Sequence, residues 1–349
     1  MPDDLLKAEV KVEIDGHAVG GVTGVAVRRD VWAPGVCEVR LSGASKDVES
    51  FLSGTSMLDV GSPVEIKMGY TEGLKPVMTG EITGFELEVR SGGKELTVRV
   101  HEPGHRLLRG RKTRPFLQKT DRQIAFEVAD EAGFKLGPQA QDTGVIHEYV
   151  LQHNQTDWEF LRQRARSLGY ELRVEGWTLF FQEPGNNSTK ELTLQLEESA
   201  LLEFRPRLST VGLVGEVIVQ GWDPRNQKAI TGKASFKDLG GKMGDSHSGL
   251  EITNKSFGPA IGAIVDRPVL SEDEAKQIAR GRLREMALAY ITGEGVVIGR
   301  NDLAPGMVVE IKGFGKSFSG PYYLVSVRHT YDVKSSGYRT GFTVRRDAS

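Results

Sequence analysis

Cysteine is nearly absent: Cys37 stands alone in 349 residues, which excludes an intrachain disulfide and a cysteine-based zinc site. A single thiol also fits a reducing compartment. Long hydrophobic runs are missing too. No segment approaches the ~18 uninterrupted apolar residues that a membrane helix needs. The opening residues Met1 to Lys7 are acidic and lack the apolar core of a secretory signal. We therefore expect a soluble protein made in the cytoplasm, without a membrane anchor. Neither sign of charge is in excess: 45 Lys and Arg against 47 Asp and Glu leave a net charge of −2, so no global field draws nucleic acid or an anionic membrane. Histidine is scarce, at seven scattered residues. There is no G-x-S-x-G and no nucleophile beside a plausible base.

What is present is an ordinary globular composition, 38% hydrophobic and 26% charged, so disorder is not the default. The length suggests about two domains. The 42 glycines are spread along the chain rather than clustered, as expected of many short strands joined by tight turns.

The chain also repeats itself. Gly61-Ser-Pro-Val-Glu-Ile-Lys67 reads against Gly306-Met-Val-Val-Glu-Ile-Lys312. In the same order, Thr79-Gly80 matches Ser319-Gly320, Ser91-Gly92 matches Ser336-Gly337, and Thr97-Val-Arg99 matches Thr343-Val-Arg345. Side-chain parity agrees, since successive strand residues point to opposite faces. Val64, Ile66 and Met68 share a face, as do Val309 and Ile311; Leu96, Val98 and Val100 alternate with polar neighbours as Phe342 and Val344 do. This predicts two copies of one half-buried antiparallel β unit, one near each end.

Between them, alternation at Ala8, Val10, Val12 and Ile14 ends at the hairpin signal Asp15-Gly16, and strands continue at Val22–Val27 and Val36–Leu41. Residues 45–53 read as a short helix or loop. Three helices each open with S/T-x-x-E/Q: Thr120-Asp-Arg-Gln123, Thr156-Asp-Trp-Glu159 and Ser271-Glu-Asp-Glu274. The first is expected to stop at Gly133 and the second at Gly169, and the third to carry Ala275, Ile278, Ala279, Met286 and Tyr290 over about five turns. Further strands are expected at 170–175, 178–182, 192–196 and 214–222, with a surface turn at 186–190 and a long mobile loop at 236–262. The predicted fold class is α+β, mainly β. It comprises a first β unit (1–105), a helix-containing domain (106–195), the first part of a second β unit (196–235), a loop-and-helix insertion (236–290) and the second part of that unit (291–349).

Three motifs invite chemistry. His101-Glu-Pro-Gly-His105 spells H-E-x-x-H, which as a zinc hydrolase needs both histidines one helical turn apart with Glu102 beside the metal-bound water. Pro103 and Gly104 oppose a helix there, so we read a strand-ending turn. Gly315-Lys316-Ser317 resembles the tail of a phosphate loop, but the position of the first glycine is Glu310 and no helix opens after it. Arg106-Leu-Leu-Arg-Gly-Arg-Lys-Thr-Arg114 is basic without interleaved aromatics, and is read as a solvated or interface-facing linker pairing with acids. Cys37 is read as packed, and Trp158, Trp177 and Trp222 as core anchors. No catalytic, cofactor-binding or metal-ligating residue is assigned.

An ordered set of motifs resembles the phage late control D proteins, tail baseplate hubs similar to the hub portion of VgrG and to hubs of extracellular contractile injection systems. The set comprises Gly110-Arg-Lys-Thr-Arg-Pro-Phe116, Thr120–Ile124, Ala132-Gly133, Gln155–Arg162, Leu168-Gly-Tyr170, Val219-Gln-Gly-Trp-Asp-Pro224, Gly320–His329 and Gly337–Phe342. It covers residues from about 7 to 346. The resemblance implies a non-enzymatic homotrimer with two similar tube-like β-barrel domains per chain, needing no cofactor. Three chains with two equivalent barrels would present six units to a sixfold inner tube while remaining threefold for the spike. Its implied partners are the inner tube or tube-initiator protein, the spike and other baseplate components, with no nucleic-acid contact required; its implied location is the baseplate of a phage-tail-like particle. VgrG-like chains continue into an OB-fold and needle, so either the spike is a separate protein here or this sequence is a piece of a longer one. Two alternatives remain at this stage: a zinc-dependent hydrolase using His101, Glu102 and His105, and a surface-binding β module using loop 236–262.

Overall fold

The computed structural model describes residues 7–55, 58–70, 73–138, 140, 142–185, 192–196, 201–223, 226–240, 242–244, 247–334 and 337–349. The expected turn at 186–190 lies outside them.

The first third is a β meander: β1 (Ala8–Ile14), β2 (His17–Ala18), β3 (Val22–Asp30), β4 (Ala33–Ser42), α1 (Lys46–Ser53), β5 (Pro63–Tyr70), β6 (Lys75–Arg90) and β7 (Gly93–His101). A 3₁₀ turn, Pro103–Leu108, leads to β8 (Lys112–Lys119), α2 (Asp121–Glu131), β9 (Lys135–Leu136), β10 (His147–Gln155), α3 (Asp157–Leu168), β11 (Glu171–Glu175) and β12 (Thr178–Gln182). Then come β13 (Leu192–Gln195), β14 (Leu201–Leu208), β15 (Glu216–Asp223), β16 (Lys228–Ser235), α4 (Gly249–Phe257), β17 (Ile261–Ile264) and α5 (Glu272–Ala287). The chain closes with β18 (Ile291–Ile298), β19 (Val308–Lys312), α6 (Gly315–Phe318), β20 (Gly320–Asp332) and β21 (Gly337–Arg346).

The predicted parity holds. Val64, Ile66, Met68, Leu96, Val98, Val100, Val309, Ile311, Phe342 and Val344 are all buried. Each such side chain contributes roughly 1.5–3 kcal/mol on leaving water. Both repeat units are the same meander: β5–β6–β7 pair antiparallel in sequence order, and so do β19–β20–β21. The landmarks are less faithful. Ile66 faces Met78 whereas Ile311 faces Gly320, so Gly320 corresponds to Met78 rather than Gly80. The β20–β21 connection runs from Asp332 to Gly337 where the β6–β7 turn runs from Arg90 to Gly93, which displaces Thr343-Val-Arg345 by two residues from the true counterpart of Thr97-Val-Arg99. A slip of two preserves the face, which is why the parity argument survives it.

The expectation of two tube-like barrels is wrong. The fold is mixed α+β with four sheets among the described residues, and none closes into a barrel. Both meanders are stretches of one open 13-stranded sheet, in the order β14-β18-β21-β20-β3-β4-β7-β6-β5-β1-β2, with β19 and β13 branching from β20. The reason lies in β20. Its first residues pair with β19, and after a bulge between Leu324 and Ser326 its remainder pairs with β3. One long bent strand thus feeds both units, and neither folds back on itself.

Four apolar clusters follow from this arrangement: one under the first meander, one in the helix-containing region around Trp158, Phe160 and Phe181, one in which α5 packs against β15 and β16 and which continues into the second meander, and a smaller one around Val31, Val308 and Tyr323. The three predicted helices form. Thr120 and Thr156 complete reciprocal caps with Gln123 and Glu159. Ser271 accepts from the Glu274 amide, but the Glu274 carboxylate takes the Leu270 amide instead, and the helix ends at Ala287, before Tyr290. Residues 236–262 are not a loop throughout: Ser248 caps α4, which buries Leu250 and Thr253, and β17 starts at Ile261. Trp158 is buried as expected, but Trp177 and Trp222 are 44% and 60% exposed; Trp177 stacks under the Arg106 guanidinium, 5.0 Å from its ring centre. Cys37 is packed, and burial pushes its thiol well above the usual range. Among the described residues no helix is long and apolar enough to cross a membrane.

Candidate functional site

The H-E-x-x-H residues do not lie on an α-helix. His101 ends β7, and its Nδ1 lies 2.7 Å from the Thr83 hydroxyl. His105 lies in the 3₁₀ turn, its Nε2 3.0 Å from a Glu81 carboxylate oxygen. Glu102 points elsewhere: buried, it accepts from the Gly35 amide at 2.7 Å and from Arg29 Nε at 3.0 Å. Burial raises its carboxyl above the ordinary value against the pull of Arg29. This geometry does not support the zinc reading, since the residue that would activate water is spent on a backbone amide and an arginine. No group of three metal-ligating side chains occurs among the described residues.

The basic run pairs with acids as expected, though it enters strand β8 rather than a linker. Arg106 grips Glu81 with two hydrogen bonds, at 2.6 and 2.9 Å. Burial lifts the Glu81 carboxyl, and Arg106 and His105 more than reverse this, leaving it below its ordinary value. Lys112 and Arg114 converge on Asp157 at 2.7 and 3.0 Å.

A charged cluster that sequence reasoning missed sits between the helix-containing region and α5. His147, at the start of β10, has Nε2 2.9 Å from Asp121 and Nδ1 3.4 Å from Glu274, and Arg164 donates to Asp121 at 2.6 Å. Burial disfavours the imidazolium, but the hydrogen bonds to Asp121 and Glu274 outweigh it and raise His147 to about 9. Burial raises the carboxyls of buried Asp121 and half-buried Glu274, but both are held below their usual values, chiefly by His147. The cluster floors a cleft of about 1240 Å³ between α3 and the segment Ala263–Pro268. Its four members come from four separate segments, and Asp121 and Glu274 carried a sequence signal only as helix-start residues.

The most informative geometry is in the shared sheet, whose halves correspond strand for strand. The series β3-β4-β7-β6-β5 has the same pairing as β14-β18-β21-β20-β19. Two of their irregularities coincide, while the shifts at Arg28/Asp30 in β3 and at Ile66/Lys67 in β5 have no counterpart in β14 or β19. β3 is bulged between Val22 and Gly24 against Leu41 and Arg40, and β14 between Leu201 and Glu203 against Val297 and Val296. β6 is bulged between Ile82 and Gly84 against Val100 and Arg99, and β20 between Leu324 and Ser326 against Val344 and Thr343. The bonds flanking the second bulge repeat as well. Gly61 N–H donates to the Ile82 carbonyl and Ile82 N–H to Ser62, at 2.8 and 3.0 Å; Gly306 donates to Leu324 and Leu324 to Met307, at 2.8 and 2.9 Å. The correspondence ends one strand further out, where β1 runs antiparallel to β5 but β13 runs parallel to β19.

The β20–β3 seam joins the halves. Val27, Val25, Val327 and His329 are buried along it. His329 Nδ1 lies 2.9 Å from the Tyr338 hydroxyl, and burial lowers its pKa to about 4, so the ring is neutral. Arg40 and Asp332 close the far end at 2.6 Å.

With this geometry in view, the family described as the Alg8 N-terminal domain matches residues 4–332. The chain belongs to this family. No curated protein matches it. Among solved structures it is similar to the 43 kDa tail protein of prophage MuSo2 from Shewanella oneidensis, with a TM-score of 0.69 at 15% identity over 97% of this chain and 98% of that one. A tail protein from Neisseria meningitidis gives 0.70 at 14% identity, over 98% and 97%. E. coli c3393, described as a component of the type VI secretion system, gives 0.65 at 15% identity, over 97% and 77%. The chain therefore has the fold of tail- and baseplate-type proteins along nearly its whole length.

Proposed function

We propose that this chain is a structural, non-catalytic hub of a contractile phage tail or injection system, working as a homotrimer that adapts a sixfold inner tube to a threefold spike. The observation that carries the reading is the internal duplication, matched over five strands and at two bulges, in a fold similar to tail proteins from end to end. A chain with two quasi-equivalent units gives a trimer six similar docking positions, which is what a symmetry mismatch between tube and spike requires. In this reading residues 1–105 belong to one docking unit, and 196–235 with 291–349 to the other. The insertions 106–195 and 236–290 supply attachment to other baseplate components. Synthesis in a bacterial cytoplasm followed by assembly into the baseplate belongs to the same proposal. Light scattering on the purified full chain, followed by pull-down of tube and spike proteins encoded beside its gene, tests it: three copies and capture of both partners are expected. A protein that stays monomeric and captures neither refutes it.

A further inference from the structure

Two edges of the shared sheet are left open. Among the described residues no strand pairs with β6 on its second side beyond Glu81, nor with the outer side of β14. Both edges carry exposed apolar side chains, Leu87 at 45% and Val89 at 63% on β6, and Leu202 at 43% on β14. A long open edge with apolar side chains is a template for pairing. The internal duplication says with what. β6 corresponds to β20, and β14 to β3; beyond its bulge, β20 takes β3 on this same side. Within the chain β6 and β14 are not paired: they bound the run β14-β18-β21-β20-β3-β4-β7-β6, which does not close on itself.

We infer that β6 of one copy pairs antiparallel with β14 of a second copy, reproducing the β20–β3 seam between molecules. The inference rests on the oligomeric reading above and adds the seam that holds the copies together. Carrying the β20–β3 register across through the shared bulges places Leu87 opposite Pro206 and Val89 opposite Phe204. Charge played no part in fixing that register, yet it sets Glu86 against Arg207, Glu88 against Arg205 and Arg90 against Glu203. A slip of two residues one way puts Glu88 against Glu203, and the other way puts Arg90 against Arg205. Like charges directly opposite are destabilising, so the charges select one register. In the single chain Glu88 bonds Arg90 at 2.7 Å and Arg205 pairs with Glu203, each with its own strand-mate two residues away. These mates are exchanged for cross-strand partners when the edges meet.

The backbone phases are complementary. Ser209 N–H donates to the Tyr290 carbonyl at 2.9 Å, so Ser209 faces β18, and Leu208, Pro206 and Phe204 turn their backbone outward. On β20 the bonds of Val325 to Val31 and of Val333 to Thr23 show that odd-numbered residues face β3, and their counterparts on β6 are Phe85, Leu87 and Val89. Opposite Leu87 stands Pro206, which accepts but cannot donate, so the seam lacks one hydrogen bond. A proline in an edge strand also discourages unrelated strands.

The test uses the full chain carrying Glu88→Cys and Arg205→Cys together. These positions oppose each other in a non-hydrogen-bonded pair, where the Cα separation suits a disulfide. Both are exposed, and the native Cys37 is buried. Mild oxidation is expected to give covalent multimers ending at a trimer, several-fold more than the displaced pair Glu88→Cys with Glu203→Cys, and none from either single variant. Glu88→Arg is expected to weaken assembly, and Arg205→Glu added to it to restore assembly. A protein trimeric by light scattering that forms no cross-link overturns the seam and leaves the hub reading standing. A monomer without cross-links overturns both. Equal cross-linking of the displaced pair overturns the register.

Discussion

Replacing Gly281 by alanine sets two effects of opposite sign against each other. Gly281 lies inside α5, where alanine is favoured over glycine by about 1 kcal/mol. Yet a Cβ there would stand 2.4 Å from the Leu168 carbonyl carbon, 2.6 Å from the Gly169 nitrogen and 2.7 Å from the Ser167 oxygen. All three are backbone atoms of the turn that ends α3, where Gly169 has φ +66°, and none can rotate aside. Relief requires α5 to retreat by about 1 Å from α3, towards the ordinary 3.5 Å or more of nonbonded carbon contact. That retreat stretches the Arg284 bond to the Leu168 carbonyl at 3.3 Å and the His147–Glu274 pair at 3.4 Å. Overpacking of this kind costs about 1–3 kcal/mol, and rigid backbone neighbours put it at the upper end. We expect Gly281→Ala to lose about 2 kcal/mol net, read as a lower urea midpoint with Lys276→Ala on the exposed face of α5 as control. A variant as stable as the parent, or more so, would show that propensity governs here and that the α3–α5 contact is loose.

Three further outcomes are expected. Thr156→Ala removes the oxygen that accepts from the Glu159 amide and should cost about 1 kcal/mol in the same assay; no change would mean the reciprocal cap is redundant. His329 has a folded pKa of about 4 against roughly 6.5 unfolded, so the unfolded chain binds the extra proton between those values and stability falls as pH drops through that window, by on the order of 3 kcal/mol in full. His329→Asn should flatten the acid limb of stability between about pH 7 and pH 4, and an unchanged limb would locate the acid sensitivity elsewhere. Added zinc should leave the melting temperature unmoved, whereas saturation at 100 times Kd would add about 2.7 kcal/mol; a rise that His101→Ala abolishes would revive the hydrolase.

What the sequence made legible was local. Alternation at Val64, Ile66 and Met68 follows from strand geometry alone, and Thr120-Asp-Arg-Gln123 caps its helix with atoms from four consecutive residues. The Asp121–His147–Arg164–Glu274 cluster had no such signature, because tertiary packing brings its members together. Trp177 and Trp222 misled because size was taken for burial; each lies at a strand end or turn where the indole meets solvent. The α4 segment was missed because its glycine- and serine-rich surroundings hide a cap, Ser248, and only two buried anchors.

The failure of the barrel expectation is of a different kind. Whether a meander closes is decided by which edges meet, and an edge is a row of backbone amides and carbonyls that side-chain alternation does not encode. Here closure turns on one residue's worth of extra chain. The bulge at Val325 bends β20 so that one side of it pairs with β19 and then with β3. The matching bulge at Thr83 bends β6 in the same way, with β5 on its first half and nothing from this chain on its second. Had both halves closed on themselves, β6 and β20 would have equivalent surroundings. Their inequivalence within one chain is what a repeat looks like when its second partner lies outside the molecule, so the missing neighbour of β6 is better sought on another copy than in this fold.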